Sequence, residues 1–250
     1  MTKTKLADDI GKAMGIDHPD MATFAEMDPV LAQEFLTMAR AVGEGNVLPP
    51  KDQALIYIAM YASMVQLNGP MVRAYIRAAL GHGADAGEIR AVLQLSSVLG
   101  IHGTLPAALI LTEEEGGLEN LQQNADPARR QKAEDARKSF EAKRGPMTPA
   151  WVNATYHVPG LVDAYAGFSG VPWATDHLPA KTKELVYIAI DIAPQHFHTE
   201  GTRVHMRKAI AAGATPEEIN SVLLMVSLMG VQTHLLALPI QKDEMAALGL

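Results

Sequence analysis

Apolar residues recur at helical spacing through most of the chain, and no segment alternates between apolar and polar positions as a half-buried strand does. Two segments show a single apolar helical face most clearly. They carry Leu185, Ile188, Ala189 and Ile192 in the first, and Ile219, Val222, Leu223 and Val226 in the second. The pattern predicts an all-α protein.

Turn and capping residues mark the limits of the predicted helices. Pro179 suits the first turn of a helix, because its missing N–H is not needed there. A later helix is predicted from about 199 to 212, where Gly213 can adopt the left-handed conformation that ends a helix. Thr215 and Glu218 have the spacing of a capping box, which predicts the start of the next helix.

The sequence contains an internal repeat with an offset of 130 residues. Residues 29–100 align with 159–230 without a gap, and 20 of these 72 positions are identical. We interpret the chain as two fused copies of one helical unit. The predicted division is a first unit at 1–112, a charged helical connector at 113–150 and a second unit at 151–250. The connector is predicted to form a solvated helix between Pro127 and Lys143.

The composition excludes several classes of function. The 250 residues carry a formal net charge of −7, which gives no general attraction to nucleic acid or anionic lipid. The chain has no cysteine, which rules out disulfides, thiolate metal sites and thiol catalysis. No uninterrupted apolar run approaches the roughly 18 residues of a membrane span. We expect a cytoplasmic protein with no nucleic-acid or membrane partner, and the absence of a Gly-rich phosphate loop indicates no nucleotide cofactor.

The second unit holds the densest group of titratable residues. His196, His198 and His205 lie within ten residues of one another. On a helix, His198 and His205 share one face, because they are seven residues apart. The other members of the group are Glu200, Arg203 and Arg207.

The two units differ at these titratable positions. The aligned pairs are His205 with Tyr75, His198 with Asn68, His196 with Gln66 and Glu200 with Pro70. We infer that the second unit carries the chemistry, and that the first is structural or supplies walls of the pocket. The alternative is that surface positions drifted freely after the duplication.

The segment Arg203-Val-His205-Met-Arg207, followed by Gly213 and the capping box, resembles the carboxymuconolactone decarboxylase family. That family shares its all-helical fold with the alkyl hydroperoxidase D-like proteins. Four further runs fit the same pattern. They are Glu184-Leu-Val-Tyr-Ile-Ala189 and Ser227-Leu-Met-Gly230 in the second unit, and Ala54-Leu-Ile-Tyr-Ile-Ala59 and Ser97-Val-Leu-Gly100 in the first.

This resemblance implies two fused copies of an alkyl hydroperoxidase D-like helical unit. It implies a cofactor-free decarboxylase of a carboxylated lactone from aromatic catabolism. It also implies rings of six units, so that three fused chains would make a homotrimer. Thiol peroxidase activity is excluded, because the chain has no cysteine. The decarboxylase branch places glutamates shortly before the histidine, and here Glu200 is shifted by one position.

Loss of carbon dioxide from such a lactone leaves a dienolate, with the lactone carbonyl as the electron sink. His205 is predicted to act as general acid and base. Arg203 or Arg207 is predicted to clamp the carboxylate or the oxyanion. Glu200 would orient an imidazole or act as a second base, and His198 would be an auxiliary donor.

Other polar residues are predicted to surround this site. His196, His102 and His234 are expected to bind substrate or line the pocket. Asp191 is a polar residue inside an apolar helix, and it is either a buried partner of a histidine or a solvent-facing residue.

A metal site is an alternative interpretation of the same cluster. His196, His198, Glu200 and His205 offer ligands for zinc, manganese or iron, although the resemblance implies no metal. On a helix the two rings of His-x-His point about 200° apart, so binding through both requires His196 in a preceding loop. Two further alternatives are a metal-dependent or metal-free hydrolase or isomerase of a related cyclic ester, and a non-catalytic assembly scaffold.

Overall fold

A computed structural model describes residues 2–250, and these residues form helices and connecting turns without a strand. The prediction of an all-α fold is therefore confirmed. The α-helices are α1 (Lys3–Met14), α2 (Met21–Met27), α3 (Pro29–Gly45), α4 (Pro50–Ala62), α5 (Gly69–Gly81), α6 (Ala86–Ser97), α7 (Ile101–Glu114), α8 (Leu118–Asn124), α9 (Pro127–Arg144), α10 (Pro149–His157), α11 (Pro159–Gly170), α12 (Ala180–Ile192), α13 (Thr199–Ala211), α14 (Pro216–Ser227) and α15 (Gln232–Ala247). Short 3₁₀ helices lie at Val98–Gly100, Val171–Trp173 and Leu228–Val231.

The sequence repeat is also a structural repeat. Helices α5 and α6 recur as α13 and α14, and each begins and ends 130 residues after its counterpart. An ion pair recurs with them, because Lys51 Nζ lies 2.7 Å from Glu88 Oε1 and Lys181 Nζ lies 2.7 Å from Glu218 Oε1. The same local packing is therefore built twice from one chain.

Capping residues mark the end of α13 and the start of α14 where the sequence predicts them. The Thr215 side chain accepts the Glu218 N–H, and the Glu218 side chain accepts the Thr215 N–H, so the capping box is complete. Gly213 has φ 88°, a conformation that residues with a Cβ rarely adopt. These contacts fix the turn between α13 and α14 and with it the direction in which α13 leaves the site.

Two helices form the centre of the larger compact unit. Every residue of α4 from Ala54 to Tyr61 is buried, and so is every residue of α12 from Thr182 to Asp191. Helices α4 and α12 pack against each other, and each also packs against the helix that follows it. A helix buried on all sides is usually apolar throughout. The charged residues Lys183, Glu184 and Asp191 inside α12 are therefore exceptional.

The chain folds into two compact units, one of residues 1–93 with 178–250 and the other of residues 94–177. In the compact unit of residues 1–93 and 178–250, α15 packs on α2 and α14 packs on α3. In the compact unit of residues 94–177, α7 packs on α10. Helices from the end of one sequence repeat thus pack on helices from the start of the other. The division of the sequence at 112 and 150 stays a prediction about the repeat.

The charged connector forms a helix, but this helix is not wholly solvated. Helix α9 packs along α11 and buries Ala133, Ala136 and Phe140 on one face. Beside this face lies the half-buried Arg137, which forms ion pairs with Glu134 at 2.8 Å and with Glu141 at 2.7 Å. The high charge of this segment hides three apolar residues at helical spacing, which is why the sequence suggests solvent on all sides.

Two continuous helical stretches, Ala86–Glu114 and Pro216–Ala247, are long and apolar enough to cross a membrane by length and composition. Polar residues interrupt both stretches, so neither stands out as an unbroken apolar run in the sequence. Core helices of water-soluble proteins meet the same criteria. The cytoplasmic location stays an expectation.

Candidate active site

The imidazole of His205 is held by two side chains of α12. Its Nδ1 lies 2.6 Å from Glu184 Oε2, and its ring stacks on that of Tyr187 with centroids 4.4 Å apart and planes at 23°. The His205 side chain is 15% exposed and the Glu184 side chain 4%. The ring is therefore held between a buried carboxylate and an aromatic face, with a small part still accessible.

This arrangement follows from how α12 and α13 pack. Glu184, Tyr187 and Asp191 are three and four residues apart on α12, so they share one face. On α13 the inward face carries Thr202, His205 and Ala209, of which Thr202 and Ala209 are buried. Because α12 packs against α13, these two faces meet.

The His205–Glu184 contact determines which nitrogen can do chemistry. A carboxylate accepts hydrogen bonds, so Nδ1 carries the proton and donates it to Glu184. The other nitrogen, Nε2, is then the one that can take a proton from a substrate and return it. The Glu184 charge also stabilises the imidazolium that forms when Nε2 is protonated. A histidine oriented by a buried carboxylate is a recurrent acid–base device in enzymes.

A second carboxyl group, that of Asp191, is fully buried two turns further along α12. Burial, and then the nearby Glu184 carboxylate, raises the pKa of Asp191 to about 8. Asp191 is therefore mostly protonated near neutral pH. In that form its carboxyl group can donate a hydrogen bond or a proton. His196 lies beside it, with Nε2 3.9 Å from Asp191 Oδ1.

The loop from 193 to 198 positions two histidines with an unusual backbone. Gln195 has φ 78° and Phe197 has φ 44°, and non-glycine residues rarely adopt such values. Each costs on the order of 1–3 kcal/mol. His196 lies between them, in the loop rather than on the helix. The His198 N–H donates to the Asp191 carbonyl at 2.9 Å, which fastens the loop to α12.

Both loop histidines are shifted towards the neutral form. Burial lowers the pKa of His196. Burial, and then the positive charge that His196 can carry, lowers the pKa of His198. Near neutral pH both rings therefore have a nitrogen that can accept a proton or bind a ligand.

Gly201 provides the space that this cluster occupies. A Cβ at this position would collide with the Asp191 carboxyl group and with the His198 ring. Asp191 Oδ2 and His198 Nε2 both lie within 2.8 Å of the point where that Cβ would stand. Asp191 Oδ2 and His198 Nε2 are therefore at most about 5.6 Å apart.

The predicted residues of α13 do not all face the site. Glu200 is exposed in the first turn of α13. Arg203 and Arg207 are also exposed. Each is two residues from His205, which places it about 160° around the helix from that ring. The chain thus brings together His205, His198 and His196, while the two arginines lie on the opposite face of α13.

The remaining two predicted histidines lie on helices other than α12 and α13. His234 is on α15, with Nε2 3.8 Å from Asp28 Oδ2 and its ring 5.3 Å from that of Phe24. His102 is on α7 and half-buried, and it belongs to the other compact unit.

The sequence motif around His205 does not predict roles for Glu184 and Tyr187. Both lie in the run of α12 that carries the resemblance, but they are far from His205 along the chain. One signal was present. Glu184 is a charged residue at a position where the first repeat has an apolar one, Ala54. A charge that appears in only one of two apolar repeats indicates a role that only that repeat has.

The corresponding place in the first repeat is filled by aromatic rings. Tyr57, Tyr61 and Tyr75 stack there, with centroids 4.4 Å apart for Tyr57 and Tyr75 and 5.7 Å for Tyr61 and Tyr75. Tyr75 stands at the position of His205, and Tyr61 at that of Asp191. The first repeat therefore has neither the imidazole nor the buried carboxylates.

Comparisons with known proteins address the family and the fold. The sequence model of the Carboxymuconolactone decarboxylase family matches residues 159–238, which include Glu184 and His205. A comparison with curated proteins finds no match. Among solved structures the chain is similar to a protein of Burkholderia xenovorans LB400 provisionally named a gamma-carboxymuconolactone decarboxylase subunit. The TM-score is 0.88 at 31% identity, over 99% of this chain and 98% of that one. Because the likeness extends through both repeats, the chain belongs to the carboxymuconolactone decarboxylase family.

Proposed function

We propose that the protein is a carboxy-lyase that removes carbon dioxide from a small carboxylated lactone without a cofactor. The observation that carries this proposal is the 2.6 Å contact between His205 Nδ1 and the buried Glu184. Membership of the decarboxylase family and the name of the similar solved structure support the reaction class. The proposed substrate is γ-carboxymuconolactone or a close analogue.

The reaction requires one proton and no external electrons. The bond between the ring carbon and the carboxylate breaks, and its electron pair moves through the conjugated system to the lactone carbonyl oxygen. Carbon dioxide leaves. His205, protonated at Nε2 and stabilised by Glu184, then gives its proton to the carbon at the other end of the dienolate.

The substrate carboxylate also needs a binding group. Arg203 and Arg207 remain a prediction for that role, and the geometry restricts it. Both lie on the face of α13 opposite His205, so one molecule cannot touch either arginine and Nε2 of the same chain without reaching around the helix. His198 and His196 are on the same side as His205.

The proposal is tested by measuring carbon dioxide released from γ-carboxymuconolactone that is labelled in its carboxylate. We expect His205→Gln and Glu184→Gln to lower kcat by about 10²–10⁴-fold, because each removes part of the acid–base pair. His82→Gln is the matched control, since His82 is an exposed histidine at the end of α5. Its kcat should equal that of the unmodified chain.

Other products would contradict the proposal. Ring opening without carbon dioxide would make the protein a hydrolase, and a moved double bond without carbon dioxide would make it an isomerase. Turnover that persists in His205→Gln would assign the chemistry to another place. No turnover with any carboxylated lactone would favour the assembly scaffold.

A further inference from the structure

We propose that Asp191, His196 and His198 form a binding site for a first-row divalent metal ion. This site adjoins the His205–Glu184 pair and goes beyond the decarboxylation proposed above, which needs no metal. Its ligands are not the set that the sequence suggests. His205 is engaged by Glu184, and Glu200 points into solvent from the first turn of α13.

The separation of the first two ligands fits a shared cation. Asp191 Oδ1 lies 3.9 Å from His196 Nε2. Two ligand atoms bound at about 2.1 Å to one tetrahedral ion are about 3.4 Å apart. A closure of about half an ångström therefore brings both atoms to bonding distance.

The third ligand approaches from the start of α13. Asp191 Oδ2 and His198 Nε2 are both within 2.8 Å of the point where a Cβ of residue 201 would stand. The rings of His196 and His198 have centroids 6.1 Å apart and planes at 53°. Two imidazoles on one tetrahedral ion have centroids about 5 Å apart, so His198 completes the set only if the rings close by about one ångström and turn their nitrogens towards Asp191.

A His-x-His pair can bind one ion only if its two residues do not lie on the same helix, and the backbone here meets that requirement. On one helix the two rings would diverge, but His196 lies in the loop and His198 caps α13. The left-handed residues Gln195 and Phe197 on either side of His196 make this possible. The loop is also supported from the first repeat, because Gln66 Nε2 donates to the Pro194 carbonyl at 3.1 Å.

The donor set determines the class of ion. Two imidazole nitrogens and one carboxylate oxygen, with further positions open to water, suit zinc, iron(II) or manganese rather than calcium or magnesium. A cation here would compensate the desolvation of a carboxyl group that is fully buried. It would also hold the strained loop against α12.

The test uses tag-free full-length protein that has been stripped of metal with a chelator and desalted. Zn²⁺ is titrated into it calorimetrically, and Co²⁺ is added separately to record its ligand-field absorption. We expect one ion per chain with a Kd below about 1 µM, and a rise in Tm on addition of zinc. His196→Gln, His198→Gln and Asp191→Asn should each weaken binding by about 100-fold or more.

Two controls make the result decisive. His82→Gln changes an exposed histidine and should bind zinc like the unmodified chain. Glu200→Gln should also bind normally, because its side chain is not a proposed ligand. Circular dichroism of each metal-free variant verifies that it is folded, and His196→Gln keeps the test valid if Asp191→Asn fails to fold.

Three results would overturn the proposal. The first is binding no tighter than about 0.1 mM, which is what isolated surface histidines would give. The second is wild-type affinity in both His196→Gln and His198→Gln. The third is loss of binding in Glu200→Gln or His205→Gln while Asp191→Asn binds normally, which would assign the ion to the other set. Metal binding is read without substrate, so its failure leaves the decarboxylation proposal untouched.

Discussion

At the residue scale, burial determines what the side chains of this protein can do. Glu184 and His205 form a close pair in which the carboxylate is almost fully removed from water. Removing one partner of a buried pair leaves the other charge uncompensated, so such pairs are costly to break. Asp191 is equally buried, and there desolvation dominates and raises the pKa. Two buried carboxyl groups seven residues apart on one helix thus differ: one pairs with the His205 imidazole, and burial raises the pKa of the other.

A second buried histidine gives a prediction about acid stability. His18 lies between α1 and α2, and burial lowers its pKa from 6.5, although Asp20 and Asp17 act to raise it. Its Nδ1 accepts the Asp20 N–H at 3.2 Å, which requires that nitrogen to be unprotonated. The pKa of His18 is lower in the folded chain than in the unfolded one, so the unfolding free energy that neutral His18 contributes is fully present above pH 6.5. That free energy is lost as the pH falls through the folded pKa.

We therefore expect the unmodified chain to lose more unfolding free energy between about pH 7.5 and about pH 5 than His18→Gln does. Urea unfolding at both pH values measures the difference. The glutamine variant cannot titrate, so all other groups cancel in the comparison. Equal losses in the two proteins would show that His18 has the same pKa folded and unfolded.

At the element scale, the helices were predictable because local signals and the repeat agreed. The sequence predicts helix α13 from about 199 to 212, and the helix ends at Ala211. Thr215 and Glu218 form the predicted capping box. The partner of His205 was not predictable in the same way. Glu184 is 21 residues away on another helix, so their contact depends on how α12 and α13 pack. Spacing along one helix cannot show such a contact.

The packing of α12 against α13 gives a second prediction. Alanine usually stabilises an exposed helix interior relative to glycine by roughly 0.5–1 kcal/mol. At Gly201 the added methyl would collide with Asp191 and His198. We expect Gly201→Ala to lower kcat and to reduce unfolding free energy, since the α12–α13 contact must open.

Gly167→Ala is the matched control for this substitution. Gly167 is an exposed residue inside α11, with nothing within 4 Å of an added Cβ. That variant should be slightly stabilised and fully active. Urea unfolding and turnover of both variants measure the contrast, and a Gly201→Ala variant as active as the control would show that the site has room for a methyl group.

At the scale of the whole molecule, the duplication gives one chain two nearly equal scaffolds with different contents. The shared helices and the Lys–Glu ion pairs are present twice. The buried charges of α12 are present once. Sequence alone indicated this asymmetry from the titratable positions, but it could not show that aromatic rings fill the first site. That filling depends on three tyrosines from two helices meeting in the core.

The predicted homotrimer belongs to this scale as well. Helix α15 exposes Leu236 and Ile240, which are one turn apart and 66% and 55% exposed in the single chain. Burying such a stripe between copies is favourable. We expect light scattering to give three times the 26.9 kDa of one chain, and Leu236→Glu with Ile240→Glu to lower that mass. A mass of one chain in the unmodified protein at micromolar concentration would contradict the prediction.

The tyrosines that fill the equivalent place in the first repeat predict that each chain has one active site. The Tyr75 hydroxyl is buried and has no hydrogen-bond partner among the described residues 2–250. An unsatisfied buried hydroxyl costs about 1–3 kcal/mol, so Tyr75→Phe should be neutral or stabilising in urea unfolding. Its kcat should stay within about twofold of the unmodified value, whereas His205→Gln at the equivalent position should lose about 10²-fold or more. A tenfold fall of kcat in a folded Tyr75→Phe variant would mean that the first repeat takes part in the reaction. The duplication would then have kept two working sites instead of one.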